Sequence, residues 1–148
     1  MSRSPAGSYA GDVSADEAWE GLSSEPQSML IDVRTRAEWA YVGIVDLSAI
    51  GKETLLVEWQ SYPTMAVNSD FAEVLAAELE RRGVGSETAL YFICRSGARS
   101  LAAANALAEA GFDRCFNISG GFEGPLDEGR HRGSVDGWKA AGLPWVQS

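Results

Sequence analysis

The sequence predicts an α/β domain with a mostly parallel sheet. Short apolar runs suited to buried strands alternate along the chain with segments of helical spacing, and this order is typical of strand–helix–strand units. The run TALYFIC (88–94) is apolar throughout, as expected for a strand in the middle of a parallel sheet covered on both faces. No repeat and no boundary between domains is visible.

Capping signals and apolar spacing place the elements. A capping box formed by Ser14 and Glu17 opens a first helix over 15–22, and SMLIDVR (28–34) follows as a buried strand. A short helix (36–43), strand-like pieces within 43–50 and 53–59 and a loop (59–68) come next. A helix capped at Asn68 or Ser69 then stops at Gly83, and its apolar positions Phe71, Val74, Leu75 and Leu79 fit helical spacing. The strand 88–94, a helix from about Ser100 to a cap at Gly111, a strand (113–118) and a last short helix (135–142) complete the chain.

Length and charge narrow the class of protein. We expect residues 1–11 to be a flexible lead-in and residues 12–148 to form one domain. The net charge of −9 argues against nucleic-acid partners and against anionic membranes, and no run is long enough to span a bilayer. We therefore expect a cytoplasmic protein. With two cysteines and one histidine, the chain has too few ligands for a zinc site or a disulfide framework, and we expect neither a metal nor another cofactor.

A cysteine stands where the most apolar strand meets the next helix, in CRSGARS. Cys94 would lie at the carboxyl end of its strand, where open parallel sheets bind ligands. The segment from Arg95 to Ser100 contains no proline, so its backbone N–H groups are available to an anion, and Gly97 allows the positive φ that such a loop needs. The following helix adds the positive end of its dipole. The pattern predicts an anion-binding loop around a sulfur atom.

Magnitudes indicate what the loop is for. A free cysteine has a pKa of ~8.5, and lowering it by ~2 units would raise the thiolate fraction at pH 7 from about 3% to roughly three quarters. Nucleophilicity falls with the pKa at a slope of ~0.45, which cancels about eightfold of the roughly 25-fold gain. We therefore expect the donors mainly to stabilise an anion formed on the sulfur afterwards.

Four motifs in this order resemble the rhodanese family of sulfurtransferases. They are LIDVRTRAEW (30–39), CRSGARS (94–100), NISGGF (117–122) and GWKAAGLPW (137–145), so the resemblance covers about Val13 to Trp145. It implies a rhodanese-like single domain, in which helices flank both faces of a mostly parallel sheet.

The resemblance also implies a chemistry. Cys94 would take the outer sulfur of a donor such as thiosulfate, hold it as a persulfide, and pass it to cyanide or a thiol, with a protein as a possible acceptor. Asp32 would support the structure near the loop, and the side chains of Arg95 and Arg99 would attract an anionic donor. The amides expected to cradle the persulfide belong to Arg95, Ser96, Gly97, Ala98, Arg99 and Ser100.

Two other functions remain open. The domain could be a carrier or binding module that holds sulfur without turnover; the intact cysteine and both arginines favour catalysis. It could also be a cysteine-dependent phosphatase or arsenate reductase. Those enzymes place five residues between cysteine and arginine, whereas four separate Cys94 from Arg99, which favours a persulfide over a phosphate.

The chain departs from the family pattern in two places. GIVDLSAIG (43–51) lacks the family's histidine and proline, and 122–137 reads as an insertion. The insertion carries Arg130, His131 and Arg132. It is interpreted either as a basic flap that recruits an anionic donor to the pocket or as a solvated loop, and the solvated loop is slightly favoured.

Other side chains have two interpretations each. Cys115 could be a resolving thiol, although burial in a strand is favoured. Trp59 and Tyr62 are predicted either to line the mouth of the pocket or to pack within the core and the loop. Arg34 and Glu38, four residues apart, are predicted to form an ion pair.

Overall fold

The computed structural model describes residues 9–61, 66–125, 127–132 and 136–147. Four α-helices are assigned in these ranges: α1 (Ala15–Ser24), α2 (Arg36–Tyr41), α3 (Phe71–Arg81) and α4 (Ala98–Glu109). The strands of these ranges are β1 (Gly11–Val13), β2 (Met29–Asp32), β3 (Ile44–Val45), β4 (Leu55–Leu56), β5 (Gln60–Ser61), β6 (Ala66–Val67), β7 (Leu90–Ile93), β8 (Cys115–Ile118) and β9 (Trp145–Val146). A 3₁₀ helix covers Ser48–Ile50.

Five strands form a parallel sheet in the order β1-β8-β7-β2-β4. Two short antiparallel pairs, β3 with β9 and β5 with β6, lie outside it. The α/β prediction with a mostly parallel sheet is thus confirmed. Strand β7 occupies the centre, and the carboxyl ends of β2 and β7 are neighbours because Asp32 is in register with Ile93.

The sheet has a hydrophobic core on each face. Alternate residues of β7 point to opposite sides: Leu90 and Phe92 join the core that packs with α3 and α4, while Tyr91 and Ile93 join the core that packs with α1. This division explains why the strand is apolar at every position. It also places helices on both faces of the sheet, as the rhodanese resemblance implied.

Helix starts follow the capping signals in part. The capping box of Ser14 and Glu17 is present at α1. The helix predicted after Asn68 begins at Phe71, with Asp70 at its N-cap, and Asn68 instead accepts a hydrogen bond from the Asp70 amide. Of the apolar positions in this helix, Phe71, Leu75 and Leu79 are buried, whereas Val74 is 53% exposed.

Two segments differ from the sequence predictions in their secondary structure. The last helix, predicted over 135–142, is wrong in its described part, 136–142, which forms consecutive turns. Gly137 and Gly142 have φ values of 97° and 74°, which an α-helix does not accept. The loop predicted over 59–68 includes the β5–β6 hairpin, whose connection lies outside the described residues.

The first strand begins before the predicted end of the lead-in. Gly11 pairs with Phe116 in β8, and the Ala10 amide donates to the Cys115 carbonyl at 2.7 Å. Residues 1–8 lie outside the described part. Within the described ranges, no helix combines the length and the apolar character required to cross a bilayer.

Candidate active site

Cys94 directly follows the central strand β7 and is 2% exposed. Its Sγ accepts hydrogen bonds from the backbone N–H groups of Gly97 (3.1 Å) and Ser100 (3.4 Å). The predicted positive φ of Gly97 is confirmed at 107°, and α4 begins at the next residue, two positions earlier than predicted. The strand–loop–helix connection therefore curls around the sulfur and directs two amides at it.

The sulfur lies at the wall of an open pocket of about 340 Å³. Of the loop residues predicted to bind substrate, four line this pocket, and the other two, Gly97 and Ser100, contact Sγ through their amides. The lining residues are Glu38, Gln60, Cys94, Arg95, Ser96, Ala98 and Arg99. Glu38 and Gln60 were not predicted as pocket residues, since neither belongs to the CRSGARS motif.

The double-glycine turn after β8 holds the cysteine loop from behind. The Phe122 amide donates to the Cys94 carbonyl at 2.7 Å, and the Glu123 and Gly124 amides donate to the Arg95 carbonyl at 3.0 and 3.1 Å. A Cβ on Gly97 would overlap the carbonyl oxygen of Ser119. The NISGGF segment is thus a backbone scaffold for the loop, and the close approach requires glycine.

Arg99 does not point freely into the pocket. Its Nη1 and Nη2 donate to the two carboxylate oxygens of Glu38 at 2.6 and 3.0 Å, and both side chains are less than one-fifth exposed. Burial raises the pKa of Glu38, but the hydrogen bonds and charge of Arg99 outweigh it, so that the pKa lies below its ordinary value. The predicted ion pair between Arg34 and Glu38 is wrong, because each side chain has a different partner.

Arg34 pairs with Asp32 instead, and both are fully buried. The Asp32 carboxylate accepts hydrogen bonds from Nε and Nη2 of Arg34, the shortest at 2.7 Å. The Arg34 guanidinium lies over the Phe122 ring, 4.3 Å from its centroid. Since the Phe122 amide donates to the Cys94 carbonyl, Asp32 is connected to the cysteine loop through Arg34 and Phe122.

A buried polar chain also reaches the sulfur from β8. Ser100 Oγ lies 3.2 Å from Cys94 Sγ and 2.5 Å from Oδ1 of Asn117. Asn117 Nδ2 in turn donates to the Asp12 carboxylate at 3.0 Å. Asn117 and Asp12 were missed as site residues. An asparagine inside a buried strand was the available signal, because a buried amide requires partners.

Cys115 is not placed to act on Cys94. It is in register with Leu90, so four residues of β7 separate the two cysteines along the strand direction, about 13 Å at 3.3 Å per residue. Burial, with a smaller contribution from Asp113, raises the pKa of the Cys115 thiol to about 12. The favoured interpretation of a buried strand cysteine agrees with this position.

The insertion does not line the pocket in its described part. His131 is 83% exposed, and Arg132 Nη1 donates to the Gly124 carbonyl at 2.7 Å. Neither these two residues nor Arg130 is among the described lining residues, although 126 and 133–135 lie outside the described part.

Trp59 packs against the Phe71 ring with centroids 5.0 Å apart, and Tyr62 lies outside the described residues.

Relatives and solved structures agree with this fold. The chain is 35% identical over 133 residues to an uncharacterised protein of Rickettsia rickettsii, covering 90% of this chain and 94% of the relative. It is 24% identical over 134 residues to the chloroplastic rhodanese-like domain-containing protein 4 of Arabidopsis thaliana, covering 90% of this chain and 25% of that protein.

Two solved structures each match nearly all of the chain. The crystal structure of Rv0390 from M. tuberculosis has a TM-score of 0.82 at 45% identity and covers 95% of this chain and all of the other. The solution structure of the polysulfide-sulfur transferase homodimer from Wolinella succinogenes has a TM-score of 0.60 at 23% identity, covering 97% and 81%. The second match shows the fold alone.

The family model described as the STR4 middle domain matches residues 10–148. This range includes every element of the sheet and the whole cysteine loop. The sequence is also similar to one rhodanese-like domain-containing protein, and the fold is shared with the polysulfide-sulfur transferase structure. The chain therefore belongs to the STR4 middle domain family.

Proposed function

We propose that this chain is a rhodanese-type sulfurtransferase that carries a sulfane sulfur as a persulfide on Cys94. One observation carries the proposal: at the wall of an open pocket, Cys94 Sγ accepts hydrogen bonds from the backbone N–H groups of Gly97 and Ser100. Such donors stabilise an anion that forms on or next to the sulfur. The names of the rhodanese-like relative and of the polysulfide-sulfur transferase support the same reaction class.

The proposed cycle has two displacements. The Cys94 thiol first loses its proton to solvent. The resulting thiolate attacks the outer sulfur of thiosulfate; the new sulfur–sulfur bond forms as the old one breaks, and sulfite leaves. An acceptor nucleophile then attacks the outer sulfur, the persulfide bond breaks, and the Cys94 thiolate is regenerated. With cyanide as the acceptor, the product is thiocyanate.

The site residues have distinct proposed roles in this cycle. The N–H groups of Gly97 and Ser100 hold the inner sulfur, and the amides of Arg95, Ser96, Ala98 and Arg99 cradle the outer one. The first N–H groups of a helix have no partner within the helix, which suits those at the start of α4 to an anion. The Arg95 side chain attracts an anionic donor, and Asp32 supports the loop.

Intact-mass measurement after incubation with thiosulfate tests the proposal. The wild-type chain is expected to gain the mass of one sulfur atom, and Cys94→Ser is expected to gain none. Cyanide should then remove the added mass and release thiocyanate. A wild-type chain that gains no sulfur from thiosulfate, polysulfide or a low-molecular-weight persulfide would contradict sulfur transfer.

The same experiment separates turnover from storage. A carrier would gain sulfur but release it neither to cyanide nor to a thiol. Phosphatase activity is disfavoured by the four-residue spacing between Cys94 and Arg99, and hydrolysis of an aryl phosphate by the wild type but not by Cys94→Ser would support it instead. The cytoplasmic location and a protein sulfur acceptor stay predictions.

A further inference from the structure

Four side chains connect the surface of strand β1 to the reactive sulfur. Asp12 Oδ1 accepts from Asn117 Nδ2 at 3.0 Å, Asn117 Oδ1 lies 2.5 Å from Ser100 Oγ, and Ser100 Oγ lies 3.2 Å from Cys94 Sγ. Asn117 and Ser100 are buried, whereas Asp12 is exposed at the edge of the sheet. The chain of contacts is therefore continuous from solvent to sulfur.

Asp12 determines which way the Asn117 amide faces. A carboxylate only accepts hydrogen bonds, so the group of Asn117 that faces Asp12 is the NH₂ donor. The carbonyl oxygen of the same amide must then face Ser100. The usual ambiguity between the two ends of an asparagine side chain is removed by this one contact.

The orientation of Asn117 decides where the Ser100 proton is. Two oxygen atoms 2.5 Å apart need a proton between them, and Asn117 Oδ1 has none to give. Ser100 must donate, and its other oxygen neighbour, the Gly97 carbonyl at 3.2 Å, is also an acceptor. The hydroxyl has one proton, so its oxygen can only accept from Cys94, and the Sγ–H donates to it.

We propose that Asp12 and Asn117 form a hydrogen-bond lock that favours the thiol form of Cys94 by turning the Ser100 hydroxyl proton away from the sulfur. Asp12 and Asn117 are positioning residues: neither touches Cys94, and both act through Ser100. The functional meaning of the lock rests on the sulfur-transfer cycle proposed above.

The lock opposes the thiolate but not the persulfide. When Sγ–H gives its proton to solvent, the Ser100 hydroxyl has to rotate towards the sulfur to donate, and Asn117 Oδ1 then loses its only described donor. In the persulfide the negative charge lies on the outer sulfur, so the hydroxyl can keep its bond to Asn117. The lock thereby protects the sulfur-free enzyme from indiscriminate reaction.

Several other charged groups lie near the sulfur, and a substitution at Asp12 leaves them in place. Arg95 and Glu38 line the pocket, and Arg99 interacts electrostatically with Cys94 and with Asp32. Asp12 itself carries a charge, so its removal alters both the field at the sulfur and the hydrogen-bond lock. The experiment must therefore separate these two effects.

Asp12→Asn is the informative variant, since an asparagine can face Asn117 with either end. The Asn117 amide can then flip, donate to Ser100 Oγ and free the hydroxyl proton for the thiolate. The new side chain still offers an oxygen to the Tyr9 hydroxyl, which hydrogen-bonds Asp12 in the wild type. The pH profile of Cys94 alkylation by iodoacetamide, quantified at that peptide, reports the change. We expect the midpoint to move to lower pH and the rate on the acidic side to rise about three- to tenfold, where tenfold corresponds to one pH unit.

A second substitution, Ser100→Ala, separates the effect of the hydrogen-bond lock from the effect of the lost Asp12 charge. In this background the hydroxyl is gone and only the effect of the lost charge remains, so Asp12→Asn should shift the alkylation profile of Ser100→Ala by less than it shifts the wild-type profile. An equal shift with and without Ser100 would overturn the proposal in favour of a long-range charge effect, and so would superimposable profiles of Asp12→Asn and the wild type. Asp12→Gln repeats the swap if the first variant does not fold, as judged by its thermal unfolding.

Alkylation needs no sulfur donor, so its outcome is independent of the persulfide measurement. Gain of sulfur with an unshifted Asp12→Asn profile would reject the lock alone. A shifted profile without any gain of sulfur would reject the sulfurtransferase alone.

Discussion

The carboxylate of Glu38 binds both terminal nitrogens of Arg99 across 61 residues of sequence. This pair places a negative charge in the wall of the cysteine pocket and offsets the charge of one of its two arginines. Such a two-point contact also fixes the plane of the guanidinium. The charge that an anionic reagent meets in this pocket is therefore set by Glu38 as much as by the arginines of the loop.

Neutralising Glu38 should increase the preference of Cys94 for anionic reagents. For Glu38→Gln we expect the ratio of alkylation rates with iodoacetate and iodoacetamide to rise about fivefold, because one nearby charge changes the interaction with an anion by about 1 kcal/mol. Both reagents attack the same sulfur, so a change in thiol protonation cancels in the ratio.

Glu17→Gln is the matched control for this measurement. Glu17 and Glu38 occupy the same position in two capping boxes, and glutamine serves a capping box as well as glutamate does. Glu17 does not line the cysteine pocket. An unchanged ratio in Glu38→Gln, or an equal rise in both variants, would contradict a role for the pocket charge.

The same ion pair should make stability depend on acidity. Because the pKa of Glu38 is lowered in the folded protein, its contribution is fully present above the ordinary value of 4.5 and is lost as the pH falls through the lowered value. We expect the wild type to be more stable than Glu38→Gln in urea at about pH 7, and the difference in the free energy of unfolding to shrink as the pH falls below the ordinary pKa of 4.5. The remaining carboxylates are common to both proteins, so a gap that stays constant with pH would contradict the assignment.

Gly97 should be intolerant of a side chain for two separable reasons. Gly97 and Gly111 have nearly equal φ values, 107° and 106°, but a Cβ on Gly97 meets the Ser119 carbonyl, whereas a Cβ on Gly111 meets nothing within 4 Å. We expect Gly111→Ala to lower the free energy of unfolding by about 1–3 kcal/mol through backbone strain. Gly97→Ala should lower it by about 1–3 kcal/mol more, because the added methyl group overlaps the carbonyl. Urea unfolding measures both, and equal losses would refute the close packing of the loop on the Ser119 turn.

Breaking the buried pair of Asp32 and Arg34 should be costly because one charge is left without its partner. We expect Asp32→Asn to lower the free energy of unfolding by about 3–5 kcal/mol, and the double variant Asp32→Asn/Arg34→Met to recover part of the loss. Asp16→Asn, on the exposed start of α1, should cost about 1 kcal/mol or less. A double variant less stable than the single one would show that Arg34 contributes mainly by its contact with Phe122.

Much of the fold was predictable because its signals are local. The capping box of Ser14 and Glu17 and the uninterrupted apolar run before Cys94 each act within a few residues, and each is found in the structure. The last predicted helix failed for the opposite reason. Gly137 packs against a distant turn, since a Cβ there would meet the carbonyls of Gly120 and Gly121.

By itself, the sequence determined that a cysteine follows a buried strand, that a glycine allows the loop to turn, and that a helix begins behind it. These features depend on the backbone preferences of consecutive residues. Only the tertiary structure decided the partners of the charged and polar groups: Glu38 with Arg99 rather than Arg34, Asp32 with Arg34, and Asn117 between Asp12 and Ser100. Ion pairs and hydrogen bonds require distances of about 3 Å, and segments remote in sequence, such as those of Glu38 and Arg99 or of Asp12 and Asn117, reach those distances only when the fold assembles. Asp32 and Arg34 are close in sequence, but only their common burial leaves each as the other's charged partner.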